Sequence, residues 1–150
     1  MRIVIQRVSR ADVSVAGDEI AAIGRGMMIL VGVENGDTQE DADWLAAKTA
    51  ALRIFDDDNG VMNRCILDAG GNVLAISQFT LTASTRKGNR PSYIRAARGD
   101  VSEPLYDYYC DRLAGHLGRP VAKGRFGADM QVSLVNDGPV TIIIDSRLRE

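Results

Sequence analysis

An apolar run, MMILVGV at 27–33, constrains the fold of this chain more than any other feature of its sequence. Gly26 precedes the run, and the turn residues Glu34-Asn35-Gly36 follow it. A continuous apolar segment of this length between turn residues is typical of a strand that is buried on both faces. The sequence therefore predicts a central strand here, with the rest of the fold arranged around it.

Alternating apolar and polar residues predict further strands on both sides of this run. The segments at 12–15 and 19–23 form a predicted hairpin around Ala16-Gly17-Asp18. The other predicted strands lie at 2–8, 53–55, 72–77, 121–126, 130–135 and 140–145.

Two helices complete the predicted fold. The first starts at the N-cap Thr38, and the second starts near Ser102 with Pro104 in its first turn. About eight strands, mostly in consecutive runs, with two main helices predict an α+β fold of packed β-sheets in a single domain, 1–150. The charged tail after about Asp145 is expected to fray. The predicted inner face of the second helix consists of Leu105, Tyr106, Tyr109 and Leu113.

Charge and cysteine content argue against several classes of protein. The 150 residues carry a net charge of −2 from 18 basic and 20 acidic side chains, whereas a protein that coats nucleic acid is usually basic. One histidine, His116, and two separated cysteines, Cys65 and Cys110, argue against a zinc site, and no cofactor is expected. Because no segment has the pattern of a signal peptide or approaches the ~20 apolar residues of a membrane span, a cytoplasmic protein is expected.

Familiar catalytic motifs are missing from the sequence. A Ser-His-Asp triad would have to use His116, which lies in the last turn of the predicted second helix, where the helix dipole favours a positive or polar residue. The chain contains neither a G-x-S-x-G elbow nor a phosphate-binding loop that ends in Gly-Lys. Any catalysis must therefore come from hydroxyls, from backbone N–H groups or from the substrate itself.

Two polar segments are placed where a ligand could bind. The segment 77–81 (SQFTL) follows a predicted strand where the chain enters a long loop, and its backbone N–H groups could stabilise an oxyanion. The segment 136–141 (NDGPVT) contains a Gly-Pro bond, which could be cis and form a rigid tip. Both segments also have a purely structural explanation. The segment 77–81 could simply end a strand, with Phe79 in the core, and the segment 136–141 could be a plain hairpin turn.

These segments together resemble the D-aminoacyl-tRNA deacylase family. The resemblance runs over essentially the whole chain, and the paired motifs in this order are specific to the family. The matching segments are QRV at 6–8, SQFTL at 77–81, TRKGNRPS at 85–92, GRFGADMQVSLV at 124–135 and NDGPVT at 136–141.

The resemblance implies a compact α+β homodimer with active sites at the subunit interface and tRNA as the partner. In the family the Gly-Pro pair, Gly138 and Pro139 here, is cis, is supported by the arginine at Arg7, and reaches into the partner's pocket. There it excludes L-amino acids, because a rigid carbonyl wall clashes with an L side chain. The residues implied to line the pocket for the terminal adenosine and the aminoacyl group are Ser77, Gln78, Phe79, Thr80, Met130 and Asn136.

The sequence is compatible with two models of the catalytic step. Thr80 is a candidate nucleophile without an evident base. The alternative is that the tRNA 2′-hydroxyl assists water while N–H groups near Phe79 hold the oxyanion.

Alternatives also exist for the role of the basic loop and for the class of activity. Arg86, Lys87 and Arg90, followed by Arg95 and Arg98, form either a phosphate-contacting patch or a solvated loop. A threonine-dependent esterase or peptidase, a noncatalytic RNA-binding module and a purely structural dimer are the competing functions.

Overall fold

The computed structural model describes residues 1–149, and its centre is one strongly curved sheet. The strands run in the order β2-β1-β3-β6-β7, and β8 pairs with the other edge of β1. Because β2 comes close to β7, the sheet nearly closes on itself. In chain order the elements are β1 (Arg2–Val15), β2 (Asp18–Ile23), β3 (Gly26–Gly32), α1 (Gln39–Ala51), β4 (Phe55–Asp56), β5 (Met62–Arg64), α2 (Ile66–Ala69), β6 (Asn72–Ser77), a 3₁₀ turn (Phe79–Thr82), α3 (Gly99–Leu117), β7 (Ala122–Lys123) and β8 (Met130–Asp145).

The predicted central strand is confirmed as β3, which has an apolar layer on each face. Met27, Ile29 and Val31 belong to the core that α1 and α3 cover, together with Tyr109 and Leu113 of α3. The alternate residues of the sheet form a second apolar cluster on the opposite face. That cluster includes Val8, Val13, Met28, Leu74 and Ile76, with Met130, Val132 and Leu134 packed against it.

The two helices are joined by a buried hydrogen bond as well as by apolar packing. Thr49 Oγ1 of α1 lies 3.0 Å from Tyr109 Oη of α3, and both residues are fully buried. Tyr106 of α3 donates its hydroxyl to the carbonyl of Ala75 in β6 at 2.8 Å, which fixes the helix over the sheet. The predicted inner face of this helix is therefore confirmed.

At two places, a single long strand covers two strands that were predicted separately. The predicted strands at 2–8 and 12–15 are one strand, β1, because β8 pairs with it along its whole length and β-bulges absorb the irregular residues. The predicted strands at 130–135 and 140–145 are likewise one strand, β8. Pairing with a distant partner, which local pattern does not reveal, keeps both strands continuous.

Other predicted boundaries were wrong by a few residues. The helix α3 begins at Gly99, so Ser102 is not its N-cap; the Ser102 hydroxyl donates to the Arg98 carbonyl, and Pro104 lies beyond the first turn. The strand predicted at 53–55 is β4, at Phe55–Asp56, and the strand predicted at 121–126 shortens to β7. The elements β5, α2 and the 3₁₀ turn were not predicted, because each is too short to show a periodic pattern.

Residues 146–149 of the tail pack against the start of β1. Ser146 is buried and accepts a hydrogen bond from the amino group of Met1 at 2.9 Å. That amino group and Arg147 both pair with Asp37, at 2.7 and 2.8 Å. Two cations around one buried carboxylate hold the tail against the start of β1. The charged composition of the tail does not reveal this arrangement. No helix of the described chain, 1–149, is long and apolar enough to cross a membrane.

Candidate active site

The SQFTL segment lies where β6 ends beside β3. Ser77 pairs in register with Val31 in a parallel ladder, and the Gln78 amide donates to the Val31 carbonyl at 2.7 Å. The chain then turns sharply into the 3₁₀ turn Phe79–Thr82. Two buried parallel strands therefore fix the point from which the turn projects.

A cavity of about 310 Å³ opens beside this turn. Ser102 and Tyr106 of α3 line it, although sequence reasoning assigned neither of them to the site. Their placement follows from the packing of α3 over the sheet and from no local motif. The predicted site residues that line it are Ser77, Gln78, Phe79 and Met130.

The turn presents backbone N–H groups and a hydroxyl but no base. Within residues 1–149, the amides of Phe79 and Thr80 donate no hydrogen bond. The Gln78 side-chain amide donates to Thr80 Oγ1, and no histidine or carboxylate among residues 1–149 contacts that hydroxyl. Phe79 is not a core residue: its side chain is 57% exposed, and its ring packs edge-on against Tyr93 with centroids 5.0 Å apart.

The NDGPVT segment is a bulge inside β8 and not a hairpin turn. Val8 pairs with Asn136 and Gln6 with Thr141, so residues 137–140 project from the ladder opposite Arg7. The Gly138-Pro139 bond is cis, and Gly138 has φ 133°, a conformation that favours glycine. We call residues 137–140 the tip.

Arg7 supports the tip with its buried guanidinium. Its Nε donates to the carbonyl of Asp137 at 3.0 Å. Its Nη1 donates to the Ile54 carbonyl at 2.8 Å and to Asp56 Oδ1 at 3.1 Å, which connects the tip to β4. Hydrogen bonds from one buried guanidinium to three separate residues are charge-assisted, and together they restrain the backbone they contact.

Asn136 closes the base of the tip. Its Nδ2 donates to the carbonyls of Arg7 and Val140, each at 3.0 Å. The side chain thus bridges the two ends of the bulge, and Asn136 does not line the cavity.

One copy of the chain does not bring the tip to the cavity. Arg2 contacts the 3₁₀ turn through the Leu81 carbonyl, whereas the tip lies opposite Arg7. Five residues of extended strand separate the two arginines by about 17 Å. Neither Gly138 nor Pro139 lines the cavity.

The chain that forms this cis Gly-Pro tip and this SQFTL turn matches a known protein family. The family model described as D-Tyr-tRNA(Tyr) deacylase matches residues 4–145. The chain belongs to this family.

Individual members of the deacylase family are similar over the full length of the chain. The protein of Phocaeicola vulgatus named D-aminoacyl-tRNA deacylase is 62% identical over 150 residues, with 100% of each chain covered. The protein of the same name from Dechloromonas aromatica is 57% identical over 150 residues, again with 100% of each covered. The resemblance found in the sequence is thereby confirmed.

Solved structures confirm the α+β fold class. The c-Myc DNA Unwinding Element Binding Protein superposes with a TM-score of 0.91 at 38% identity, covering 97% of this chain and 98% of that one. A probable eukaryotic D-amino acid tRNA deacylase superposes with a TM-score of 0.81, covering 95% and 97%. At 17% identity the second likeness supports the fold alone.

The basic loop of this family member carries fewer unpaired charges than its composition indicates. Arg86, Lys87 and Arg90 are exposed in a loop whose ends pair through Ser84 and Ser92. Arg95 and Arg98, by contrast, contact carboxylates, at 3.7 Å to Glu34 and 3.4 Å to Asp100.

The thiols and the histidine lie outside the candidate site. Cys110 is a buried residue of α3, and burial raises the pKa of its thiol to about 12, so a thiolate nucleophile is disfavoured. Neither Cys65 nor His116 lines the cavity. Residues 1–149 contain no group of three or more histidine, cysteine, aspartate or glutamate side chains arranged to hold a metal ion.

Proposed function

We propose that this protein is a D-aminoacyl-tRNA deacylase, which hydrolyses the ester bond between a D-amino acid and the 3′-terminal adenosine of tRNA. The proposal is carried by one observation: a rigid cis Gly138-Pro139 tip occurs together with an SQFTL turn that lines a cavity, in a chain of this family. Full-length relatives of the same name support it. Aminoacyl-tRNA is used in the cytoplasm, and we place the protein there.

The cavity is proposed to hold the terminal adenosine and the aminoacyl group. Ser77, Gln78, Phe79 and Met130 form its walls, so an aminoacyl ester bound there lies next to the 3₁₀ turn. The unpaired N–H groups of Phe79 and Thr80 are suited to stabilise the negative charge that develops on the carbonyl oxygen. In this model, Asn136 holds the tip and does not contact the substrate directly.

Selection between D and L esters is proposed to come from the tip of a second copy of the chain. The tip presents backbone without a side chain at Gly138, and Arg7 and Asn136 restrain it from both sides. A rigid wall can exclude an L side chain by shape while a D side chain points into open space. Since one chain leaves its own tip far from its cavity, this model requires a homodimer.

Two features of β8 support such a dimer. Within the described part of the chain, β8 pairs along its length with β1 alone, so its outer edge has no partner strand. Ile143 and Val135, which flank the tip, are exposed apolar side chains. An unpaired edge with exposed apolar residues is a frequent site of association.

Catalysis assisted by the substrate fits the turn better than catalysis by Thr80. The Thr80 hydroxyl accepts a hydrogen bond from Gln78 and contacts no base. We therefore assign activation of water to the 2′-hydroxyl of the terminal adenosine, and stabilisation of the oxyanion to the turn amides. Arg86, Lys87 and Arg90 are proposed to contact phosphates of the tRNA acceptor end.

Matched D- and L-aminoacyl-tRNA test the function directly, by release of the labelled amino acid. We expect the D ester to be hydrolysed more than about 200-fold faster than the L ester, because exclusion by shape exceeds the ~1–3 kcal/mol of a methylene contact. Glycyl-tRNA should also be cleaved, since glycine has no side chain to reject. Equal rates for D and L esters would contradict the tip model. Binding without hydrolysis of any ester would instead favour a noncatalytic RNA-binding module.

The dimer is tested by native mass spectrometry at low micromolar concentration. We expect a mass of twice the 16.2 kDa chain. Activity per chain should fall as dilution dissociates the dimer, because each site needs the tip of the other copy. A fully active monomer would be incompatible with the shared site.

Thr80→Ala separates the two catalytic models. We expect its single-turnover rate to stay within about 5-fold of wild type, whereas loss of a true nucleophile lowers kcat by at least about 1,000-fold. Thr85→Ala, in the exposed loop, is the matched control. A large loss in Thr80→Ala alone, with hydrolysis of small esters by the wild type, would favour the threonine-dependent esterase.

Substrate ending in 2′-deoxyadenosine should be cleaved much more slowly than the normal substrate.

Charge reversal tests the basic loop. We expect Arg86→Glu with Lys87→Glu to weaken tRNA binding and to flatten its dependence on salt, because each lost phosphate contact reduces the slope by about 0.7–0.9. The matched control is Lys48→Glu with Arg53→Glu, which reverses two exposed charges at α1. Equal affinities of the two double variants at low salt would show that the loop is merely solvated.

A further inference from the structure

Two arginines reach the carboxyl end of the 3₁₀ turn from different parts of the chain. Arg2, at the start of β1, donates from Nη1 to the Leu81 carbonyl at 2.9 Å. Arg95, beyond the basic loop, donates from Nε and Nη2 to the Thr82 carbonyl at 3.3 and 3.2 Å. The amides of Phe79 and Thr80 lie at the opposite end of the same turn.

These contacts satisfy the carbonyls that the turn cannot satisfy itself. The Gln78 carbonyl accepts from the Leu81 amide, and the Thr80 carbonyl accepts from the Ala83 amide. The Phe79 carbonyl accepts from the Thr82 hydroxyl at 2.8 Å. The carbonyls of Leu81 and Thr82 come last in the turn, where no later residue of a short helix remains to donate to them. Both arginine contacts fall on these two.

Each arginine lies beside a carboxylate, and Arg2 is hydrogen-bonded to its own. Arg2 contacts Asp145 Oδ2 through Nε at 3.1 Å and Nη2 at 2.9 Å. Arg95 lies 3.7 Å from Glu34, a buried carboxylate that Arg147 also contacts at 3.4 Å. Anchoring reduces the rotamer freedom of a long side chain, so Arg2 can restrain the turn and not merely follow it. Arg95 restrains the turn through two donor nitrogens that share the Thr82 carbonyl, beside the negative charge of Glu34.

We propose that Arg2 and Arg95 are positioning residues, which hold the turn from its carboxyl end and thereby fix the Phe79 and Thr80 amides against the reacting ester. The inference rests on the proposed deacylase function. A 3₁₀ turn of four residues is weak by itself, and a displacement of about 1 Å can cost 100-fold in rate. Asp145 ends β8, so the Arg2 contact also connects the turn to the strand that carries the tip.

The test compares Arg2→Ala and Arg95→Ala with Arg112→Ala. Arg112 is a matched control because its Nε pairs with Asp43 at 2.6 Å and its exposure is close to that of Arg95, yet it lies on α3 and does not contact the turn. Steady-state hydrolysis should show kcat lowered at least about 10-fold in each turn variant with KM within about twofold. Arg95→Lys should restore part of the rate, since one donor remains.

Amide hydrogen exchange provides a readout that needs no activity. The amides of Leu81 and Ala83 donate within the turn, so their exchange reports its integrity. We expect exchange at least about 10-fold faster in the turn variants and unchanged in Arg112→Ala. If Arg2→Ala does not fold, Asp145→Asn removes the anchoring charge and should give the same result.

Several outcomes would overturn the proposal. Wild-type kcat and wild-type exchange in folded Arg2→Ala and Arg95→Ala would do so. A raised KM with unchanged kcat in Arg95→Ala would show that Arg95 binds tRNA and does not position the turn. If the wild type hydrolyses no aminoacyl-tRNA, the proposed function fails, while the exchange experiment still decides whether the arginines hold the turn.

Discussion

The antiparallel pairing of β1 with β8 is the interaction on which the rest of the structure depends. It runs the full length of both strands, and it places inward residues of each in one of the two apolar clusters. Its single large irregularity, opposite Arg7, projects the tip. Its end, where Arg2 meets Asp145, supports the 3₁₀ turn. This ladder therefore positions the tip, and through Arg2 it helps to support the turn that β3 and β6 place.

Charge in this protein serves mainly to hold backbone in place. Arg7 restrains the tip, Arg2 and Arg95 contact the turn, and Arg147 shares Asp37 with the amino group of Met1. Because these guanidinium groups are engaged with carbonyls and carboxylates, the net charge of −2 says little about recognition. In the exposed loop, Arg86, Lys87 and Arg90 form a cluster of positive charge that no carboxylate of residues 1–149 contacts.

The candidate site is made largely of backbone. It offers amides of Phe79 and Thr80 that donate no hydrogen bond within residues 1–149, and a cis peptide bond at Gly138-Pro139 in the tip. No histidine or carboxylate of that range contacts the Thr80 hydroxyl. Such a site gains its precision from the rigidity of its supports, since backbone groups have no rotamers of their own. This explains why so many hydrogen bonds around the site run from side chain to backbone.

The sequence by itself determined the buried central strand, the two main helices, the α+β class and, through family resemblance, the segments SQFTL and NDGPVT. These features are local: a periodic pattern or a short motif contains them entirely. Only the tertiary structure decided that β1 and β8 are continuous, that Asn136 bridges the tip, that Ser102 and Tyr106 line the cavity, and that the tail packs on Asp37. Each of these depends on partners that are distant in the chain, from 31 residues for Tyr106 and Ala75 to 143 for Arg2 and Asp145, and local pattern carries no record of such contacts.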